Sequence, residues 1–144
     1  MPDDILRIFD ANVNRACEGL RVVEEVCRFI LNDAGLSDRL KKARHSVRSI
    51  LESERLIPHR DSENDVGKGV LKYGSGARTG LPDIIDANLK RAEEALRVIE
   101  EFSKLEELDI PLDNIRAIEA VRFEVYTLEK EIFSLAQANN KFRK

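Results

Sequence analysis

DANVNRACEGLRVVEE, residues 10–25, is written a second time as DANLKRAEEALRVIEE, residues 86–101, an offset of 76. Over 8–28 against 84–104, twelve of twenty-one positions are identical. The identities include Asp10/Asp86, Asn12/Asn88, Arg15/Arg91, Glu18/Glu94, Arg21/Arg97, Glu24/Glu100 and Glu25/Glu101. A duplication kept for packing alone holds its apolar pattern and lets the surface letters drift. Here the polar letters are held too.

At 100° per residue the first copy places Val13, Ala16, Gly19, Leu20, Val23, Cys27 and Ile30 in one broad apolar arc. Asn12 falls inside that arc and Arg15 at its edge. Asp10, Arg21, Glu24, Glu25 and Arg28 fall on the opposite, solvated face, where Arg21–Glu25, Glu24–Arg28 and Arg97–Glu101 have the spacing of ordinary surface ion pairs. A buried amide or guanidinium needs partners, at a cost of about 1–3 kcal/mol if it lacks them. Two readings follow for Asn12, Arg15, Asn88 and Arg91: a structural polar network closed by a carboxylate from another helix, or a pocket for an anion between helices.

A second helix after Asn32–Gly35, with Ser37 as its expected N-cap, steps through Leu40, Ala43, Val47 and Ile50. Shifted by 78, it aligns with Ile118, Val121, Val125 and Leu128, and Arg44 with Arg122. The whole hairpin is therefore duplicated. The expected fold is all-α: an antiparallel four-helix bundle made of two duplicated helical hairpins joined by a long Gly-rich loop. The chain reads as a single helical domain, 1–144, with repeat one at about 3–55, the loop at about 56–82 and repeat two at about 83–138. The expected helices cover 3–31, one after Ser37, 82–108, and one after Pro111. The tail 139–144 is polar.

The loop IPHRDSENDVGKGVLKYGSGARTGLPD, residues 57–83, holds five of the seven glycines. It places Arg60, Asp61, Asp65, Gly67, Lys68, Lys72 and Arg78 where backbone amides can approach a ligand, and a short strand fits at 69–73. Gly69 and Gly74 are followed by Ser75 and not by lysine, so this is no Walker motif. A plain linker between two hairpins is the alternative.

With 24 basic and 27 acidic residues, net charge −3, 42% hydrophobic and 35% charged, the composition argues for a folded core and against nucleic acid. No apolar run reaches membrane-spanning length and the first residues are acidic, which points to a cytoplasmic protein. Cys17 and Cys27, about 15 Å apart along one helix, read as small core residues. With no Ser/His/Asp set and no activated cysteine, the residues favour a bundle binding a small anion through arginines. Asp61 and Asp65 are the carboxylates able to hold a metal or accept a proton, and leftover apolar surface on the last helix offers a homodimer face.

IFDANVNRACEGLRVVEEVCRF, the later DANLKRAEEALRVIEEF, the pair Arg44–His45, the loop element at Arg60, Asp61, Asp65 and Gly67, and the terminal RFEVYTLE resemble one family over nearly the whole chain. It is the monofunctional hydroxymethylpyrimidine-phosphate kinase family, the helical domain found at the N-terminus of some bacterial thiamine-phosphate synthases. The resemblance implies a small-molecule kinase of non-ribokinase fold that uses ATP and Mg2+ to phosphorylate hydroxymethylpyrimidine phosphate in thiamine biosynthesis. Its partners are then a phosphate substrate, a nucleotide and thiamine-phosphate synthase. Under that reading Arg60, Asp61 and Asp65 are catalytic, with Asp61 and Asp65 on the metal. Asn12, Arg15, Arg44, His45, Gly67, Asn88, Arg91 and Arg122 bind substrate or phosphate. The alternative is a non-catalytic helical binding or dimerisation module partnering the synthase.

Overall fold

The computed structural model describes residues 2–69 and 76–139, and among them every regular element is helical. The elements are α1 (Pro2–Phe29), α2 (Ala34–Arg48), α3 (Ser53–Leu56) with a 3-10 turn at Ile57–His59, α4 (Leu81–Ser103), a 3-10 turn at Glu106–Leu108, and α5 (Leu112–Ala138). The strand expected at 69–73 falls mostly on residues outside the described set, as does the tail beyond 139. Helix α1 stops where Asn32 turns left-handed at φ 54°. Asp33, and not the expected Ser37, caps α2, its carboxylate accepting from the Leu36 amide at 2.9 Å. An Asx side chain three residues before an amide reaches it more readily than a serine already inside the first turn.

The apolar arcs become the core. Phe9, Ala16, Leu20 and Val23 of α1 meet Leu89, Ala92, Leu96 and Ile99 of α4, with Leu40 and Val47 of α2 and Ile118, Val125 and Leu128 of α5 closing the other side. Cross-contacts set the directions. Asn14 lies by Arg48 and Glu24 by Arg44; Lys90 lies by Glu129 and Glu100 by Arg122; Ile50 lies by Asn114 and Arg39 by Glu124. The ring α1–α2–α5–α4 is therefore antiparallel at every step.

This topology explains the long loop. Helix α2 ends beside the start of α1, where Arg60 and Asp61 meet Asp10 and Arg7, whereas α4 begins at the far end of the bundle. A helix of 23 residues is about 35 Å long, so the crossover must travel that length and no short turn can replace it.

The pairing of α1 with α4 depends on one glycine. A Cβ at Gly19 would stand 2.6 Å from the Asn88 carbonyl oxygen and 3.6 Å from the Ala92 nitrogen. The two repeats touch backbone to backbone there.

Candidate functional site

The repeat extends to hydrogen bonds. Asn12 Nδ2 donates to the Ile8 carbonyl at 2.8 Å, and Asn88 Nδ2 to the Ile84 carbonyl at 2.8 Å. Arg44 donates to Glu24 at 3.2–3.3 Å, and Arg122 Nε to Glu100 at 2.8 Å. Glu24 and Glu100 are buried, not on the solvated face that the helical wheel gave Glu24. The wheel treats α1 as an isolated cylinder, while α2 packs along the flank on which Glu24 sits. Arg44 and Arg122, expected on phosphate, are thus held by carboxylates, and Glu100 keeps the Arg122 guanidinium firmly charged. Of the expected surface pairs, Arg21–Glu25 forms at 2.9 Å, while Arg97 reaches Glu100 at 3.6 Å.

Asp10 is also buried, again contrary to the wheel. Arg60 reaches back from the loop and forks onto it, Nε to Oδ2 at 2.8 Å and Nη2 to Oδ1 at 2.7 Å. Its repeat partner Asp86 is exposed, and among the described residues no arginine forks onto it as Arg60 does onto Asp10. The duplication is symmetric in its core and asymmetric in its site.

Around that clamp lies a cavity of about 570 Å³, lined by Arg7, Asn12, Arg15, Arg60, Asp61 and Asp65 among others. Next to it, between α1 and α4, is a cleft of about 400 Å³ lined by Asn12, Arg15, Lys90, Arg91 and Glu94. Asn12 and Arg15 line both. Arg15 and Arg91, which the wheel put at the edge of the apolar arc and which were expected to be buried, are exposed at the rim; among the described residues neither forms an ion pair or side-chain hydrogen bond. Two equivalent, uncommitted guanidiniums thus line one cleft, a ready fork for an anionic group.

Asp61 accepts from the Asn64 amide at 3.3 Å and from Asn64 Nδ2 at 3.0 and 3.1 Å, bonds that hold its carboxyl below the usual range. Asp65 accepts from the Gly67 amide at 2.8 Å. The Asp61 carboxyl therefore stays ionised at neutral pH. Among the described residues no group of three or more His, Cys, Asp or Glu is placed to hold a metal ion. His45 is exposed on α2, and neither it, Asn88, Arg44, Arg122 nor Gly67 lines either cavity. Cys17 and Cys27 are buried and free, and burial pushes the Cys27 thiol up to about 12, so neither is a nucleophile.

Sequence reasoning missed Arg7, Asp10 and Lys90 at the cavities, and Glu24 and Glu100 as the buried partners of Arg44 and Arg122. A signal for the last two was present: glutamates and arginines duplicated together.

The ThiD2 family profile matches residues 7–131. The chain belongs to the ThiD2 family. It is 39% identical over 97% of its length to a thiamine-phosphate synthase of Rhodopirellula baltica, 40% over 89% to one of Nostoc punctiforme, and 41% over 89% to one of Synechocystis sp.. It spans little more than a third of those relatives, 37%, 35% and 36% respectively. No solved structure matches. These comparisons place the chain among proteins of thiamine biosynthesis and correct the kinase expectation: the relatives carry the name of a synthase, a transferase that is not a kinase. No helix among the described residues is long and apolar enough to cross a membrane.

Proposed function

We propose that this ThiD2 family member is a helical binding module of thiamine biosynthesis. It takes a phosphorylated small molecule in the cleft between its two repeats and works beside thiamine-phosphate synthase. The observation that supports this reading is the Arg15/Arg91 pair, two equivalent cations that form no ion pair among the described residues and line one cleft. By contrast, the repeated glutamates Glu24 and Glu100 each hold an arginine, Arg44 and Arg122.

The neighbouring cavity suits the ligand's remaining polar groups. Arg7 and Arg60 supply donors there, and Asp61 and Asp65 are the residues that would hold a magnesium ion arriving with the phosphate. Magnesium needs only one or two protein carboxylates when phosphate oxygens and water complete its shell, so two aspartates without a third ligand fit it. The ion would offset phosphate charge, and Arg15 and Arg91 would orient the ester.

Calorimetry with hydroxymethylpyrimidine phosphate, its dephosphorylated alcohol and inorganic phosphate tests the reading. Binding of the ester by the wild type, and a loss of at least tenfold in Arg15→Ala and Arg91→Ala, is the expected result. Equal affinity for ester and alcohol, or unchanged affinity in both variants, overturns it. Turnover of the ester by the folded protein with ATP and magnesium would replace binding with chemistry as the account of the site.

A further inference from the structure

Helix α5 carries an apolar face that the bundle does not use. Its inward stripe, Ile118, Val121, Val125, Leu128 and Ile132, is buried, while on the outer side Phe123 is 55%, Tyr126 43% and Phe133 62% exposed. The duplication provides an internal control. At the offset of 78, α2 has His45 and Arg48 where α5 has Phe123 and Tyr126, and α2 packs into the same core without aromatics outside. The aromatic face therefore serves something other than this fold.

The face is also ordered in advance. Phe123 and Tyr126 meet edge to face at 6.1 Å, and the Arg122 guanidinium, fixed by Glu100, lies 5.0 Å from one ring and 5.9 Å from the other.

We propose that this face docks a second copy of the chain, α5 against α5, antiparallel about a two-fold axis at the level of Leu128. The pattern is self-complementary in that register, as an isologous contact requires. Phe123 meets Phe133 of the second copy, Tyr126 meets its Lys130, Thr127 its Glu129, and Glu119 its Gln137. No like charges face each other, and Lys130, which has no ion pair among the described residues, gains an aromatic face. In this register residues 118–138 of α5 overlap their copy, a strip about 31 Å long and about 10–12 Å across. Two such strips bury on the order of 700 Å², below the standard size of specific interfaces, so the dimer should be weak, reversible and dependent on concentration.

Light scattering and sedimentation of the intact chain over a wide concentration range test this. The mass should rise from 16.4 kDa toward twice that value, and Phe133→Glu and Tyr126→Glu should hold it at 16.4 kDa with an unchanged helical circular-dichroism spectrum. The register has its own readout. A Phe123→Cys/Phe133→Cys double variant should cross-link on mild oxidation, whereas either single variant, its thiols about 15 Å apart across the axis, should not. A mass of 16.4 kDa at every concentration overturns the proposal, as does a dimer indifferent to Phe133→Glu. A monomer that binds a separately expressed thiamine-phosphate synthase through Phe123 and Phe133 overturns it in favour of that partner. None of these readouts depends on the ligand in the α1–α4 cleft.

Discussion

Arg15 and Arg91 occupy equivalent positions of the two repeats, line the same cleft between α1 and α4, and form no ion pair with any described residue. Removing either should leave the fold intact, since exposed substitutions without partners usually change stability by less than about 0.5 kcal/mol. The double variant Arg15→Ala/Arg91→Ala should therefore melt with the wild type while losing affinity for a phosphate ester. Thermal denaturation run beside calorimetry separates the two effects. A large fall in melting temperature would assign these arginines to the structure.

Glu24 and Glu100 should behave in the opposite way. Each is buried against an arginine that is itself largely shielded, Arg44 and Arg122, with side chains 15% and 12% exposed. Breaking such a pair by removing one partner strands a charge, at a cost of about 3 kcal/mol or more. Glu24→Ala and Glu100→Ala should each lower the denaturation midpoint strongly, and Glu→Gln at either site should lose less by keeping an acceptor. Urea titration measures both, and equal stability of Glu24→Ala and wild type would show that the pair contributes nothing.

Gly19→Ala should destabilise the protein although alanine is the better helix former by about 1 kcal/mol. The added carbon would lie 2.6 Å from the Asn88 carbonyl, a backbone atom that moves only if α4 moves. Overpacking of this kind costs about 1–3 kcal/mol, enough to outweigh the propensity gain. A melting temperature above wild type would mean that the helices separate freely.

Stability should also fall as pH rises toward neutrality because of Glu93. Its buried carboxyl is pushed from 4.5 up to about 7 by desolvation first and by the nearby Glu129 second, against the opposing pull of Lys90 at 3.4 Å; Glu93 Oε2 lacks a hydrogen-bond partner among the described residues. Between about pH 4.5 and 7 the folded chain keeps a proton that the unfolded chain releases, so the fold loses stability through that window and levels off above it. Glu93→Gln should flatten this part of the pH–stability curve. An identical slope in the variant would place the titration elsewhere.

Much of the architecture was present in the primary structure. The repeat of residues 10–25 at 86–101 and the 76- and 78-residue offsets require two equivalent hairpins, because apolar residues at three-and-four spacing have to be buried and each hairpin alone has nothing to bury them against. Which polar residues reach the site was decided only in three dimensions. A helical wheel knows one neighbour direction, whereas Glu24 is covered by α2 and Asp10 by Arg60 returning from fifty residues away. The same geometry separates residues that the repeat treats alike: Arg44 and Arg122 are held by carboxylates, while Arg15 and Arg91 form no ion pair among the described residues and keep their charge available to a ligand. Spacing along a chain sets which face a side chain shares. Only the packing of four helices sets what stands opposite that face, and for charged groups that neighbour determines whether the charge serves the fold or the site.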